Sequence, residues 1–451
     1  MKNKALLISI YLIVFQIYAI NSKAQNPLIS HIFAADPSAH VWPADTTTMW
    51  LYTSHDVTGT NHHATMFDYH VFSTKDLVNW TDHGRILSVD DVDWAISHAW
   101  ATDAVFWKGN YYFVFCMRNR ENSDLFRVGL AVSNRPEGPF KSIGQIRGVE
   151  QGMDPAIFID DDNQPYLICA HKRTCFIGKL SDDLMSVSNL TAVKETPQLQ
   201  EGPWLHKYNG RYYLSYPGVR DNQWPEVMYY SVADKVMGDY KPMGQYIPFF
   251  KGQAGSNHGS IVKFRGKWID FYHSCMLSKG NGYERNLMAD FLYYDKDGKI
   301  QTIVPTKEGI SGGNPIFCNI RLEAENGKPA GGKLFGTYAE NTAPGFSGAG
   351  YATGFNHAEE YVEVLAQMAF EKKYSLEISY SADVNRKIAV CVNDFMLNGD
   401  YAAWKDMVLP ASKGFSTCKI GEITMKPGDN RIKLMSVNGN FKLDYFILKP
   451  L

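Results

Sequence analysis

The sequence predicts an all-β protein: a five-bladed β-propeller followed by a β-sandwich of jelly-roll type. Two observations carry the first part. A turn residue followed by an aromatic-rich apolar run recurs five times at roughly fifty-residue spacing, within the range of propeller blades. From Asn26 to Pro315 no long window keeps apolar residues at i, i+3, i+4 and i+7, so long helices are not expected there. The aromatic fraction points the same way. It reaches 14% of 451 residues, with Trp 10, Tyr 26 and Phe 25. Aromatic residues favour strands, and Trp and Tyr rings also offer flat faces to sugar rings.

The chain opens on an export signal, residues 1–24. Lys2 and Lys4 give it a positive start, Ala5 to Ile20 is an apolar run, and Ser22-Lys23-Ala24 is a small-residue cleavage site before Gln25. No Cys follows the apolar run, so a lipoprotein is not suggested. The protein is expected in the periplasm or outside the cell.

Residues 26–310 hold the five repeats. Their second strands are Met49-Trp50-Leu51-Tyr52, Tyr111 to Phe115, Tyr166-Leu167-Ile168, Tyr212 to Tyr216 and Trp268 to Tyr272. Each follows another apolar segment: Asp36 to Val41, Thr102 to Trp107, Asp154 to Ile159, Gly202 to Tyr208 and Gly259 to Phe264. Paired segments with turn residues between them read as hairpins. Further short strands, such as Arg127 to Ser133 and Val227 to Val232, bring each unit to four strands. Asp160-Asp161-Asp162-Asn163 reads as a hairpin turn, because it lacks the Gly and Glu of a calcium loop.

Glu308 to Asn314 is Gly-rich and polar, a boundary signal. Residues 320–451 then show short alternating strands at Tyr361 to Leu365, Tyr374 to Ser381, Lys387 to Val392, Cys418 to Met425 and Asn430 to Val437, which suggests a sandwich.

Composition narrows the function. Lys+Arg 45 against Asp+Glu 47 gives a net charge of −2, with no excess of positive charge for phosphates. Nucleic-acid binding is not expected, nor membrane attachment once the signal is removed. Seven cysteines with no CxxC make zinc an unsuitable reading. Cys169 with Cys175, and Cys391 with Cys418, stay open as disulfide pairs.

Three acids stand at matching phase in three repeats: Asp36 before Pro37, Asp154 before Pro155, and Glu201 before Gly202-Pro203. Inner strands of a propeller line a central channel, so acids at equivalent strand ends meet at one mouth. Glycoside hydrolysis needs such a set. One carboxyl protonates the leaving oxygen, another activates water or attacks carbon, and a third raises the acid's pKa by repulsion. Asn61-His62-His63, with His55 nearby, fits no zinc spacing and reads as a loop at the channel mouth that touches substrate.

Ala35-Asp36-Pro37, Trp100-Ala101-Thr102-Asp103-Ala104, Met153-Asp154-Pro155, Glu201-Gly202-Pro203 and Asn257-His258-Gly259-Ser260 together resemble glycoside hydrolase family 43. The resemblance spans about Asn26 to Pro305. It implies a secreted exo-glycosidase that inverts the anomeric carbon and removes L-arabinofuranosyl or D-xylosyl residues from plant polysaccharides or oligosaccharides. The same family leaves galactan or arabinogalactan chains as an alternative, and a non-catalytic sugar-binding protein is the other. The resemblance makes Asp36 the general base, Glu201 the general acid and Asp154 the modulator of the acid's pKa. It makes Asp103, His258 and Arg285 substrate contacts; Trp42, Trp100, Trp204 and Trp224 lie close to the acidic motifs, Trp100 and Trp204 as substrate contacts and the others as further sugar-wall candidates. Thr102 stands where the family motif usually has Pro. No cofactor is implied for catalysis; His258 matches a channel histidine that faces a central calcium or water.

Leu322-Glu323-Ala324-Glu325 and Leu443-Asp444-Tyr445 resemble the first and last strands of a family 6 carbohydrate-binding module. That makes Glu323, Glu325 and Asp444 candidate ligands of a structural calcium, which favours carboxylate oxygens. Tyr351 and Trp404, with Asn440, are its sugar-contact candidates. A monomer acting on a carbohydrate polymer or oligomer is expected.

Overall fold

The structure, a computed structural model, describes residues 26–220, 223–357, 360–393 and 404–451. The export segment, 1–24, lies outside the described residues.

Each repeat becomes a sheet whose strands pair in sequence order. Blade one has strands Ala34–Trp42, Asp45–His55, Asp68–Thr74 and Asn79–Ser88. Blade two runs Thr102–Trp107, Asn110–Asn119, Phe126–Ser133 and Lys141–Gln145, with the short Ala95–Ser97 added to its second strand. Blade three runs Met153–Ile159, Pro165–His171, Thr174–Leu180 and Val187–Ala192. Blade four runs Trp204–Tyr208, Arg211–Arg220, Gln223–Ala233 and Lys241–Ile247. Blade five departs from the expected four strands. It has three, Ser260–Phe264, Lys267–Ser274 and Asn286–Leu292. The start of the described chain fastens to its last strand: Leu28 N–H donates to Leu287 O at 2.8 Å and Asn26 Nδ2 to Ala289 O at 3.0 Å.

The aromatic repeats fill the seams between blades. Tyr52, Tyr69, Phe113, Phe115 and Phe140 join blades one and two. Tyr212, Tyr213, Tyr230, Tyr246 and Tyr272 gather at blades four and five. Trp80 and Phe72 meet Phe271 where blade five closes on blade one. Each such ring takes about 150–250 Å² out of water. Cys116, Cys169, Cys175 and Cys275 are buried thiols, so no bridge joins Cys169 to Cys175.

The C-terminal part packs two sheets. One contains Phe317–Glu323, Lys372–Ser381, Ser416–Met425 and Lys442–Pro450; the other contains Tyr361–Met368, Gly428–Ser436, Arg386–Val392 and Trp404–Leu409. Leu376, Ile378, Ile388, Ile432, Leu434 and Phe446 fill the space between them. Phe317–Glu323 also pairs in parallel with Asn79–Ser88, so blade one and the sandwich share a sheet.

Candidate active site

The acids reach the channel mouth through a shared backbone device. The residue before proline takes a left-handed conformation in three blades: Asp36 at φ 53°, Asp154 at φ 49° and Gly202 at φ 54°. The strand register shifts at that point in blades one and three, between Ala35 and Ser38 and between Met153 and Ala156. Bulges of this kind re-aim side chains. Asp tolerates the left-handed region better than most residues. In blade four the strained position is a glycine, and the acid is displaced one residue earlier, to Glu201.

Asp36, Asp154 and Glu201 line one cavity of about 510 Å³ together with Trp100, His258 and Arg285. Asp36 is 5% exposed and fully engaged. Its Oδ1 accepts from Arg285 Nη1 at 2.9 Å and its Oδ2 from Ser54 Oγ at 2.5 Å. Its own amide donates to His273 Nδ1 at 3.3 Å, which leaves His273 Nε2–H to donate to Ser256 O at 2.9 Å. Burial pushes the Asp36 carboxyl up, but Arg285, His273, His258 and the Ser54 hydroxyl together hold it well below the usual carboxylate range. Arg285 is fixed in turn by Asp56, which accepts from its Nε and Nη2, both at 2.9 Å.

Glu201 experiences the opposite field. Burial raises its carboxyl well above the ordinary range, and the nearby acids Glu226, Asp154 and Asp36 add to the rise. Asp154 is also raised, by burial first, while its Oδ2 accepts from the Gly202 amide at 3.0 Å. One contact therefore ties Asp154 to the residue beside Glu201. The opposed shifts favour an ionised Asp36 and a protonated Glu201, the charge states that a base and an acid need.

Two expected contacts lie elsewhere. Asp103 and Trp204 line a separate cavity of about 320 Å³ at the other end of the inner strands, with His40, Trp42 and Trp268. Asp103 lacks the pre-proline bulge, and its carboxylate stays inside the channel. There it accepts from Ser38 Oγ at 2.6 Å and from the Ile157 amide at 2.8 Å, tying blades one, two and three. Both are corrected from substrate contacts to parts of the frame. Trp42 shares that cavity, whereas Trp224, an exposed indole, lines the acidic one.

The cavity also takes His63, Met66, Gln253, Ser256, Cys275 and Tyr283. His63 was foreshadowed by the Asn61-His62-His63 loop. Asp56 and Glu226 carry no local motif. Glu226 is buried beneath the 253–258 loop, where its Oε2 accepts from the Asn257 amide at 2.7 Å. Calcium at His258 does not fit this donor set. The ring has Asp36 and Asp154 for acidic neighbours, and Arg285, Ser54 and the Gly202 amide already engage both Asp36 oxygens and Asp154 Oδ2; calcium takes six to eight oxygen ligands.

The sandwich acids leave a single oxygen open: Arg321 Nε donates to Glu323 Oε1 at 2.9 Å, the Ala349 amide to Glu325 Oε1 at 2.8 Å and Ser379 Oγ to Asp444 Oδ2 at 3.0 Å. Glu323, Glu325 and Asp444 are all buried. Ser347 Oγ donates toward Glu323 Oε2 and Asp444 Oδ1, both at 2.9 Å, and Glu325 Oε2 has no partner. Gly348 crosses above them so closely that a Cβ there would lie 2.4 Å from Glu325 Oε1. Tyr351 is buried and bonded to Glu340, so it is not a sugar platform. The Trp404 side chain lies outside the described residues. Asn440 Oδ1 accepts from the amides of Gly354 and Phe355, both at 3.0 Å, and so shapes a loop.

His55, Asp68 and His70 form the one grouping of potential metal ligands within 4.8 Å of one another among the described residues. Both ring nitrogens of His70 already face acceptors, Asp82 Oδ1 at 3.2 Å and Gln367 Oε1 at 2.8 Å. The cluster reads as a hydrogen-bond network.

Comparison with known proteins agrees with this geometry. Residues 24–300 match the model of glycosyl hydrolases family 43. Residues 321–451 match carbohydrate binding module family 35, which replaces the expected family 6. The chain is 32% identical to xylosidase/arabinosidase 43A of Humicola insolens, over 62% of this chain and 99% of that one. A β-xylosidase/α-arabinofuranosidase of family 43 from a compost microbial metagenome, solved with xylotriose in a calcium-free form, superposes with TM-score 0.55. It is 32% identical and covers 62% of this chain and 96% of its own. At 24% identity, an arabinoxylan arabinofuranohydrolase of Bacillus subtilis shares the fold across both parts, with TM-score 0.57, covering 95% of this chain and 98% of that one.

Proposed function

The chain belongs to glycosyl hydrolase family 43, and from that premise we propose that it removes terminal L-arabinofuranosyl or D-xylosyl residues with inversion, using the carboxyls of Asp36 and Glu201. It is a glycoside hydrolase of the xylosidase/arabinofuranosidase type, with a carbohydrate-binding module at its C-terminal end.

The observation that carries the assignment of roles is the opposed charge environment of the two acids. Asp36, kept ionised by Arg285, accepts a proton from water as that water attacks the anomeric carbon. Glu201, kept protonated by burial and its acidic neighbours, delivers a proton to the departing oxygen. Asp154 keeps Glu201 protonated and, through the Gly202 amide, in place. Trp100 offers an aromatic wall; its Nε1–H is anchored on His63 O at 3.1 Å. Arg285 supplies positive charge and hydrogen-bond donors to the cavity, and the His258 ring lines it beside them.

Lys2, Lys4 and the Ala5–Ile20 run support export, to the periplasm or beyond. In the binding module, Glu323, Glu325 and Asp444 would hold a calcium that ties the first strand to the last.

Release of 4-nitrophenol from its β-D-xylopyranoside and α-L-arabinofuranoside tests the reading. Wild type is expected to hydrolyse at least one of them, and Asp36→Asn neither. Failure of wild type on both, and on arabinoxylan and xylo-oligosaccharides, would favour the non-catalytic binder.

A further inference from the structure

The sandwich reaches the active site through a buried chain of polar contacts. The end of its strand Tyr361–Met368 docks on blade one. Ala369 N–H donates to His31 O at 2.6 Å, Thr58 Oγ donates to Met368 O at 3.4 Å, and Phe370 packs edge-on against Phe33 at 5.2 Å. Gln367 lies at the centre of this contact. Its Oε1 accepts from His70 Nε2 at 2.8 Å, and its Nε2 donates to Asp68 Oδ2 and Asp429 Oδ1, both at 3.2 Å. Asp68 Oδ1 holds His55 Nδ1 at 2.6 Å. The next residue is Asp56, the carboxylate that clamps Arg285 against Asp36.

We propose that Gln367 of the binding module is a positioning residue for the Asp36–Arg285 pair, acting through Asp68, His55 and Asp56. This rests on the assignment of Asp36 as the base. The contact sets the sugar-binding module a second task, since a residue of the sandwich completes the support of the propeller's active site.

Physical chemistry favours a rigid chain here. His55, Asp56, Asp68, His70 and Asp82 are all buried. With acceptors on both nitrogens, His70 carries both of its protons; burial opposes its charge, but Asp82 outweighs burial and raises the ring to about 9. The amide of Gln367 is then the group that satisfies the His70 donor with its oxygen and the Asp68 acceptor with its nitrogen. Removing it leaves both buried and unpaired, a costly state that the local backbone relieves by moving. The segment that moves is 56–67, which also contributes His63 and Met66 to the cavity.

Gln367→Leu tests this, with Gln367→Glu as a variant that keeps the shape and the acceptor for His70. Two readouts are needed. Amide exchange by mass spectrometry should accelerate in 56–67 in both variants, and this measurement does not depend on activity. The rate should fall by roughly tenfold or more in kcat, with KM on an aryl glycoside little changed. The acidic limb of the pH profile should move up by about one unit as the grip of Arg285 on Asp36 loosens. The charged and titratable groups facing Asp36 are Arg285, His273 and His258, with His63, Asp154, Glu201 and Glu226 across the cavity; none of them is altered in these variants. Phe370→Ala should lower the melting temperature and leave the acidic limb in place. In an Arg285→Lys background, Gln367→Leu should add no further loss of kcat. Unchanged exchange in 56–67 overturns the proposal whatever the activity. So does a wild-type acidic limb in a folded variant, or an equal loss of kcat in both backgrounds. An inactive wild type with faster exchange in the variants would overturn the enzymatic reading and leave the link from Gln367 to the 56–67 segment standing.

Discussion

At the scale of single residues, the proposed division of labour between Asp36 and Glu201 rests on their surroundings. Both are carboxylic acids in one cavity, yet Arg285 keeps one ionised and burial beside other acids keeps its counterpart protonated. Glu201→Gln should therefore cut turnover by roughly a hundredfold or more where the leaving group is a sugar alcohol. It should cost far less with 2,4-dinitrophenyl glycosides, whose departure needs no proton. Equal losses on both substrates, measured as kcat/KM, would remove the acid role. Glu226 refines the same picture. Burial raises its own carboxyl to about 8, and once ionised its charge lifts Glu201, so Glu226→Gln should lower the pKa of Glu201 and move the basic limb of the pH profile to lower pH. A basic limb that stays in place would mean that Glu226 acts only on the 253–258 loop.

At the scale of elements, the pre-proline kink at the head of an inner strand places the acids. Gly202 holds that position in blade four, where a Cβ would lie 2.7 Å from His258 Nδ1 and 3.0 Å from the Pro217 ring. Gly202→Ala should destabilise by about 1–3 kcal/mol and lower kcat by displacing Glu201; thermal melts and steady-state kinetics check both. The junction strands carry a pH signature. His70 titrates near 9 in the folded protein against an ordinary 6.5, so its stabilisation is complete below pH 6.5 and lost as pH rises through about 9. Melting temperatures of wild type should fall across that window, and those of His70→Gln should fall less. The phase of Asp36, Asp154 and Glu201 was legible in the repeats because Asp-Pro and Glu-Gly-Pro mark the kink directly. Asp103 was placed among the substrate contacts by the family resemblance, whereas its strand has no pre-proline kink to turn it toward the acids. Asp56 and Gln367 were not legible at all. They work through partners far away in sequence, Arg285 for Asp56 and Asp68 and His70 for Gln367, and no local pattern announces such contacts.

At the scale of the whole molecule, five sheets closed into a ring bring together carboxyls that lie far apart in the chain, and the sandwich braces one side of that ring. On the proposed reading, a calcium held by Glu323, Glu325 and Asp444 would tie the first and last strands of the sandwich. Added calcium should raise its melting temperature, chelation should lower it, and Gly348→Ala should abolish the difference. The architecture was readable from the aromatic repeats, whereas the shared sheet between Phe317–Glu323 and blade one was not, since pairing between distant strands leaves no periodic trace. The central claim is that Asp36 directs water to one face of the sugar while Glu201 protonates the leaving oxygen on the other. Proton NMR of the first-formed sugar during hydrolysis of an aryl glycoside tests it most directly. The account predicts that the released pentose appears first with its anomeric configuration inverted; first appearance of the retained anomer would contradict it.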